Sequence, residues 1–238
     1  MDALKVYKNS DYQFSPKILI HQPTLDEVAE YGEARYFSTV RFFCSTPADR
    51  KADIWQASQR YWDEVDEFEL FLSMSGALAE LDLSILFPSV DFTSFKVVIN
   101  GNAELAMQNK DGVVIDRVTH LLLTEHLRFI HILDKNMVTG YDNATKDAMI
   151  EDDLFERELA ANKPAESQLW PMISALTNSE GFKYRYDDVW QLPIGVFLDA
   201  ARRVQKRINY SHLMTGIYSG CVDMKQVNKK EFDWMGGL

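Results

Sequence analysis

Residues 5–8 and 17–21 are short apolar-rich runs joined by NSDYQFSP. That linker is rich in turn-forming residues, so the pair predicts an N-terminal β-hairpin. Pro23 and Thr24 stop the second run. Thr24 with Glu27 three residues on makes a capping box, so a helix begins at Leu25. Leu25, Val28, Ala29 and Tyr36 share one face of it, and Gly32 weakens it from inside. Residues 36–44 (YFSTVRFFC) fit strand or helix equally. Ser45-Thr46-Pro47 is a break; Thr46 caps a further helix with Pro47 in its first position, running to about Ser58. Val65, Phe68, Leu72 and Ser75 recur at three and four residues and predict a helix over 63–78. Its first turn collects Asp63, Glu64, Asp66 and Glu67, where the helix dipole favours carboxylates.

In the middle of the chain, residues 95–100 and 103–109 read as strands around the Asn100-Gly101 turn signal. A second turn, Asn109-Lys110-Asp111-Gly112, leads to residues 113–116, giving a three-stranded antiparallel meander. Val118, Leu122, Phe129 and Leu133 mark the apolar face of the next helix. Residues 134–168 are polar. Residues 136–143 form a loop, and 145–161 form a charged helix with few apolar positions, expected to jut out or pack lightly. Lys163-Pro164 is the expected internal boundary. Residues 169–178 predict a short helix, and Asp187 or Asp188 caps a turn holding Val189 and Trp190. Pro193 opens the longest helix, to about Thr215, with Leu192, Val196, Ala200, Val204 and Ile208 stepping by four. Gly216 and Gly220 end it, and the tail runs to Trp234 and Gly236-Gly237.

The 238 residues are 46% apolar and 26% charged, ordinary for a folded protein and against disorder. The net charge of −11 is uneven: −7 over residues 1–90, −5 over 91–163 and +1 over 164–238. An acidic surface repels phosphate backbones, which argues against nucleic acid as a partner. Cys44 and Cys221 are too few and too far apart for a disulfide scaffold or a CxxC metal site. The opening MDALKVYKNSDYQF lacks a cationic start followed by an apolar core, so no signal peptide is expected. No apolar run is long enough for a membrane span. The expected location is a reducing cytoplasm.

The residues offer little chemistry. His120, His126 and His131 are six and five residues apart, which does not align them on one helical face, so solvated or capping roles are expected rather than a metal site. Cys44 reads as a buried small hydrophobe. Neither GxSxG nor a P-loop occurs, and the adjacent pairs Asp152/Asp153 and Asp187/Asp188 point apart. No catalytic residue, cofactor or metal site is expected. Two features point to binding. Arg202, Arg203, Lys206 and Arg207 form a cationic cluster, read either as salt-bridge partners of the acidic N-terminal region or as a contact face. Tyr210, Met214, Ile217, Tyr218, Phe232 and Trp234 put much apolar area into the tail, which either docks back on the chain or engages a partner.

Several segments resemble a family of tailed-phage and prophage structural-module proteins of Gram-positive hosts, tail-assembly-chaperone-like. They are IHQPTLDEVAEYGE at 20–33, CSTPAD at 44–49, NATKDAMIEDD at 143–153, ESQLWPMISALTNSEGFKYRYDDVW at 166–190, RINYSHLMTGIYSGCVDMKQV at 207–227 and FDWM at 232–235. The resemblance implies a role in the host cytoplasm during tail morphogenesis, keeping the long helical tape-measure protein soluble while tail subunits polymerise. It carries no catalytic residues.

The expected fold is α+β and mostly α-helical, with an N-terminal β-hairpin and a small central antiparallel meander. Residues 1–90, 91–163 and 164–238 are three regions or one continuous domain. The expected function is non-catalytic binding of the tape-measure or tail-tube protein, by a chain that itself oligomerises. Its contact residues are Arg203, Lys206, Arg207, Tyr210, Met214, Ile217, Tyr218, Phe232 and Trp234. The rival readings are a connector or baseplate part of the virion, and an acidic inhibitor of a host defence protein.

Overall fold

The computed structural model describes residues 3–8, 11–101, 103–161, 163 and 166–236. Asn9 and Ser10 of the expected turn, Pro164 of the expected boundary and Gly237 of the tail lie outside them. The fold is α+β and mostly helical, with one hairpin and one three-stranded meander.

The hairpin exists, but its first arm is not residues 5–8. Those lie in helix α1 (Ala3–Lys8), where Val6 is buried. The arm is β1 (Asp11–Ser15), within the stretch read as turn, paired antiparallel with β2 (Ile18–His21). DYQFS alternates polar and apolar, the period of a half-buried strand, whereas KVYK sets two apolar residues side by side. Tyr12 and Phe14 accordingly pack on the core.

The capping box at α2 (Leu25–Tyr31) is complete: Glu27 N–H donates to Thr24 Oγ1 at 3.2 Å, and Thr24 N–H donates to Glu27 Oε2 at 2.7 Å. Thr24→Ala is expected to lower stability by about 1 kcal/mol and Thr24→Ser by much less, read from urea unfolding midpoints. Equal losses in the two variants would show that the hydroxyl is not the cap. Leu25, Val28 and Tyr36 are buried, while Ala29 faces outward. Gly32 does not sit inside one helix. At φ +99° it ends α2 and begins α3 (Glu33–Cys44), a turn that any Cβ would strain.

A second capping box, Thr46 with Asp49, opens a 3-10 turn over Pro47–Arg50 that runs into α4 (Lys51–Ser58). Residues 63–78 are not one helix. A 3-10 turn (Trp62–Glu64), α5 (Glu67–Ser73) and a second 3-10 turn (Ser75–Ala79) succeed one another, because Val65 and Asp66 are extended. Asp66 is the N-cap of α5, accepting from the N–H groups of Phe68 and Glu69 at 2.9 Å each. The acidic run also reaches across the fold: Asp63 pairs with Lys146 at 2.6 Å, Asp66 with Arg117 at 2.8 Å, and Glu67 with Arg128 at 3.2 Å.

The meander is β3 (Lys96–Ile99), β4 (Leu105–Gln108) and β5 (Val114–Ile115), in that order. Asp116 then caps α6 (Arg117–His131) by accepting from Thr119 N–H at 2.8 Å. The charged helix is α7 (Asn143–Ala161). Its one fully buried side chain is Ile150, which joins Ala48, Ala52, Ile54, Trp62 and Leu70 in a small second core. Ion pairs of Arg157 with Asp53 (2.5 Å) and of Lys51 with Asp153 (3.7 Å) hold it against α4.

The remaining helices are α8 (Leu169–Thr177), α9 (Tyr186–Val189) and α10 (Ile194–Tyr218). Arg185, not an aspartate, stands at the N-cap of α9; Asp187 and Asp188 lie in its first turn. In α10 the fully buried residues are Ile194, Gly195 and Phe197, while Val196, Ala200 and Val204 are half-buried and Ile208 is 37% exposed.

The main core draws on the whole length of the chain. Phe43 of α3 is ringed by Phe42, Phe71, Phe87 and Phe92, with centroids 5.1 to 5.8 Å away. Ile20, Val28, Leu127, Ile173, Val189 and Phe197 belong to the same cluster. Backbone bonds tie its ends: Leu25 N–H donates to Leu192 O at 3.0 Å and Ile194 N–H to Pro23 O at 2.8 Å. The Glu33 carboxylate accepts from the N–H groups of Gln168 (2.6 Å) and Leu169 (2.9 Å), so a residue far back in sequence caps α8.

Candidate functional site

The face that α6 turns to the core is not the apolar one its spacing suggests. Val118, Leu122, Phe129 and Leu133 are 63%, 47%, 41% and 42% exposed. The inward face carries Leu123, Leu127 and Ile130 together with His120, Thr124, His126, Arg128 and His131. The three histidines are therefore buried, neither solvated nor capping. His131 Nδ1–H donates to Leu127 O at 2.7 Å, which leaves Nε2 to accept from Tyr36 O–H at 2.6 Å. His120 lies 4.5 Å from the Phe71 ring. His126 stacks on Tyr12 at 4.5 Å, and among the described residues neither of its ring nitrogens has a hydrogen-bond partner. Burial pushes all three imidazoles down to about 4, because a charged ring loses its hydration there.

Part of the outward side of α6, with the segment after it, forms one wall of the largest cleft described, about 1060 Å³. Leu121, Glu125 and Phe129 of α6, with Leu133 just beyond it, face Leu4 and Tyr7 of α1 and the first half of α10. The backbone of α10 closes on α6 at Gly195, where a Cβ would meet Gln22 Nε2 at 2.4 Å and Ile130 O at 2.8 Å. Glycine is needed for that approach. Gln22, 4% exposed, forms part of the floor, and its Oε1 has no partner among the described residues.

The charges of the cleft are mostly committed. Arg128 binds Glu67, as does Lys135; Arg202 meets Asp134 at 3.6 Å; Arg203 meets Asp199 at 3.4 Å. Tyr7 O–H donates to Asp199 at 3.3 Å. Glu125 is the exception: it is exposed, and no described residue bonds or pairs with it.

Burial pushes the Cys44 thiol up to about 12, which keeps it protonated and non-nucleophilic. Among the described residues no cluster of three or more His, Cys, Asp or Glu is placed to hold a metal ion. No helix among them is long and apolar enough to cross a membrane.

The contact residues expected from sequence are only partly brought together. Arg207, Tyr210, Met214, Tyr218 and Trp234 line a smaller cleft of about 480 Å³ along the C-terminal half of α10. Arg203 faces the large cleft instead, and its guanidinium donates to the backbone carbonyls of Trp234 (3.3 Å) and Gly236 (2.8 Å). The tail thus returns along α10, leaving Phe232 and Trp234 half-buried and Tyr218 82% exposed. Ile217 and Lys206 are half-buried on α10 outside both clefts. Arg202, Arg203 and Arg207 find partners in Asp134, Asp199 and Glu180 O rather than in the acidic N-terminal region. Leu4, Tyr7, Gln22, Leu121 and Glu125 were not legible as site residues. The surplus of apolar positions on α6, more than one face can bury, is the signal that would have found the stripe.

No curated protein and no solved structure matches the chain. Residues 162–238, which contain three of the six resembling segments, are similar to the family model of the YomV second domain.

Proposed function

We propose that this is a non-catalytic protein of phage tail morphogenesis, acting in the host cytoplasm to hold the tape-measure protein or another tail protein during assembly. The observation that carries the reading is the cleft beside α6. It exposes Leu4, Tyr7, Leu121, Phe129 and Leu133 along one wall and floor, while every ionisable group around it save Glu125 is held in an internal pair. Such a surface gains free energy by covering apolar area. A bare tape-measure helix presents the complementary apolar face, and an acidic carrier keeps the pair soluble. The tail cleft around Tyr210 and Tyr218 is a second surface for the same client or for another copy of this chain.

Co-expression with the tape-measure protein of the same phage tests the proposal. The wild-type chain is expected to co-purify with it and raise its soluble yield. Leu121→Asp/Phe129→Asp is expected to weaken capture by at least about 30-fold, as loss of two buried anchors does. No co-purification with the wild type would sink the reading. Mass spectrometry of purified particles separates an assembly factor from a retained virion part.

A further inference from the structure

We infer that the α6 cleft takes an amphipathic helix with a basic residue in the middle of its apolar face, and that Glu125 is the group that fixes its register. The inference rests on the reading that the cleft binds a partner, and it adds which chemistry that partner has.

Val118, Leu121, Leu122, Glu125 and Phe129 fall at helical spacing along one side of α6, and Leu133 follows just past its end; all are exposed. At about 1.5 Å per residue the helical part of the stripe, residues 118–129, is roughly 17 Å long, about three turns of a facing helix. An added strand has nothing to pair with here, because α6 satisfies its own backbone groups. The contact therefore runs through side chains, as in helix-in-groove recognition.

Charge decides what kind of helix. Arg128, Lys135, Arg202 and Arg203 are each tied to a carboxylate of the chain, so the cations of the cleft are neutralised from within. Glu125 stands at the centre of the apolar stripe with no partner among the described residues. Covering it with a purely apolar or acidic helix would strip its hydration without compensation. A Lys or Arg placed opposite replaces that hydration and sets the register. A second copy of this chain is disfavoured for the same reason: two α6 stripes packed antiparallel about a two-fold would bring Glu125 against Glu125.

The test uses the full chain and two synthetic ~18-residue helical peptides, blocked at both ends, identical except for Lys or Glu at the midpoint of the apolar face. Fluorescence anisotropy is expected to show the Lys peptide bound about 5- to 10-fold more tightly than the Glu peptide, with the gap shrinking as salt rises. Glu125→Lys is expected to reverse the preference and Glu125→Gln to abolish it. The residue is exposed, so both variants should keep the wild-type circular dichroism spectrum. Equal binding of the two peptides, a preference that Glu125→Lys leaves in place, or no binding of either would overturn the inference. So would a dimer in sedimentation that Phe129→Asp dissolves. Tape-measure capture that persists while the peptides are not discriminated would leave the assembly reading standing and sink this one alone.

Discussion

Lowering the pH from 7 to 4 is expected to remove several kcal/mol of stability, most of it above the range in which carboxylates titrate. The three imidazoles on the inner face of α6 are held at about 4 by burial, against about 6.5 in an unfolded chain. Between those values the unfolded state binds more protons than the folded one, so stability falls as pH falls. The contribution is full above about pH 6.5 and is lost by about pH 4. A shift of this size is worth about 3 kcal/mol for a wholly enclosed ring such as His131, and less for His120 and His126 at the edges. Together they amount to roughly 5–8 kcal/mol, comparable to the whole stability of many domains. The carboxylates act lower. Asp53, Asp66, Asp116 and Glu27 are depressed below their ordinary values by the hydrogen bonds and ion pairs they accept. Their losses begin at about pH 4 and below.

Urea unfolding at pH 7.5, 6, 5 and 4.5 checks this, and one variant isolates a single ring. His126 stacks on Tyr12 with both ring nitrogens unpartnered among the described residues. His126→Phe keeps the stack and removes a desolvated polar group. It is expected to stabilise the protein by about 1–2 kcal/mol at pH 7.5 and to flatten the pH dependence. A wild type equally stable at pH 7.5 and 5 would refute the linkage.

These histidines also mark where the chain could and could not be read. Capping boxes at Thr24 and Thr46, the turn at Asn100-Gly101 and the helix start at Pro193 were legible because each depends on residues a few positions apart. The orientation of α6 was not. The helix has two apolar sides, and spacing alone cannot say which is buried. The choice is made at long range: Tyr36 supplies a partner for His131, and Glu67 supplies one for Arg128. The strand at Asp11–Ser15 was misread for a related reason, since its polar residues look like turn chemistry until Ile18–His21 pairs with them. The site followed the same pattern. The tail residues from Arg207 to Trp234 stood out by composition and do line a cleft. The larger cleft joins Leu4 and Tyr7 to residues more than a hundred positions away, and only the packing of α1 and α10 against α6 reveals it.

Arg128→Met is expected to destabilise the fold by about 3–5 kcal/mol, while Arg128→Met combined with Glu67→Leu should recover much of that loss. Arg128 lies 8% exposed behind the cleft, and its guanidinium holds three elements together. Nη2 donates to Cys44 O at 2.8 Å, satisfying a carbonyl at the open end of α3. Nη1 and Nη2 each donate to Glu67 Oε2 of α5 at 3.2 Å. Removing the arginine alone leaves that carbonyl unbonded and a half-buried carboxylate with, among the described residues, Lys135 as its remaining ion pair. Removing both charges eliminates the stranded anion, and the remaining deficit reflects the Cys44 carbonyl and imperfect packing. The coupling in a double-variant cycle is therefore expected to exceed about 2 kcal/mol. Single losses below about 1 kcal/mol, or a double variant as unstable as the two losses added, would show that the pair does not fix α6. If the pair does fix it, Arg128→Met should also weaken capture at the cleft under conditions where the protein remains folded. The outward stripe and Arg128 belong to one helix, and a stripe whose helix can rotate no longer presents Glu125 and its apolar neighbours in register.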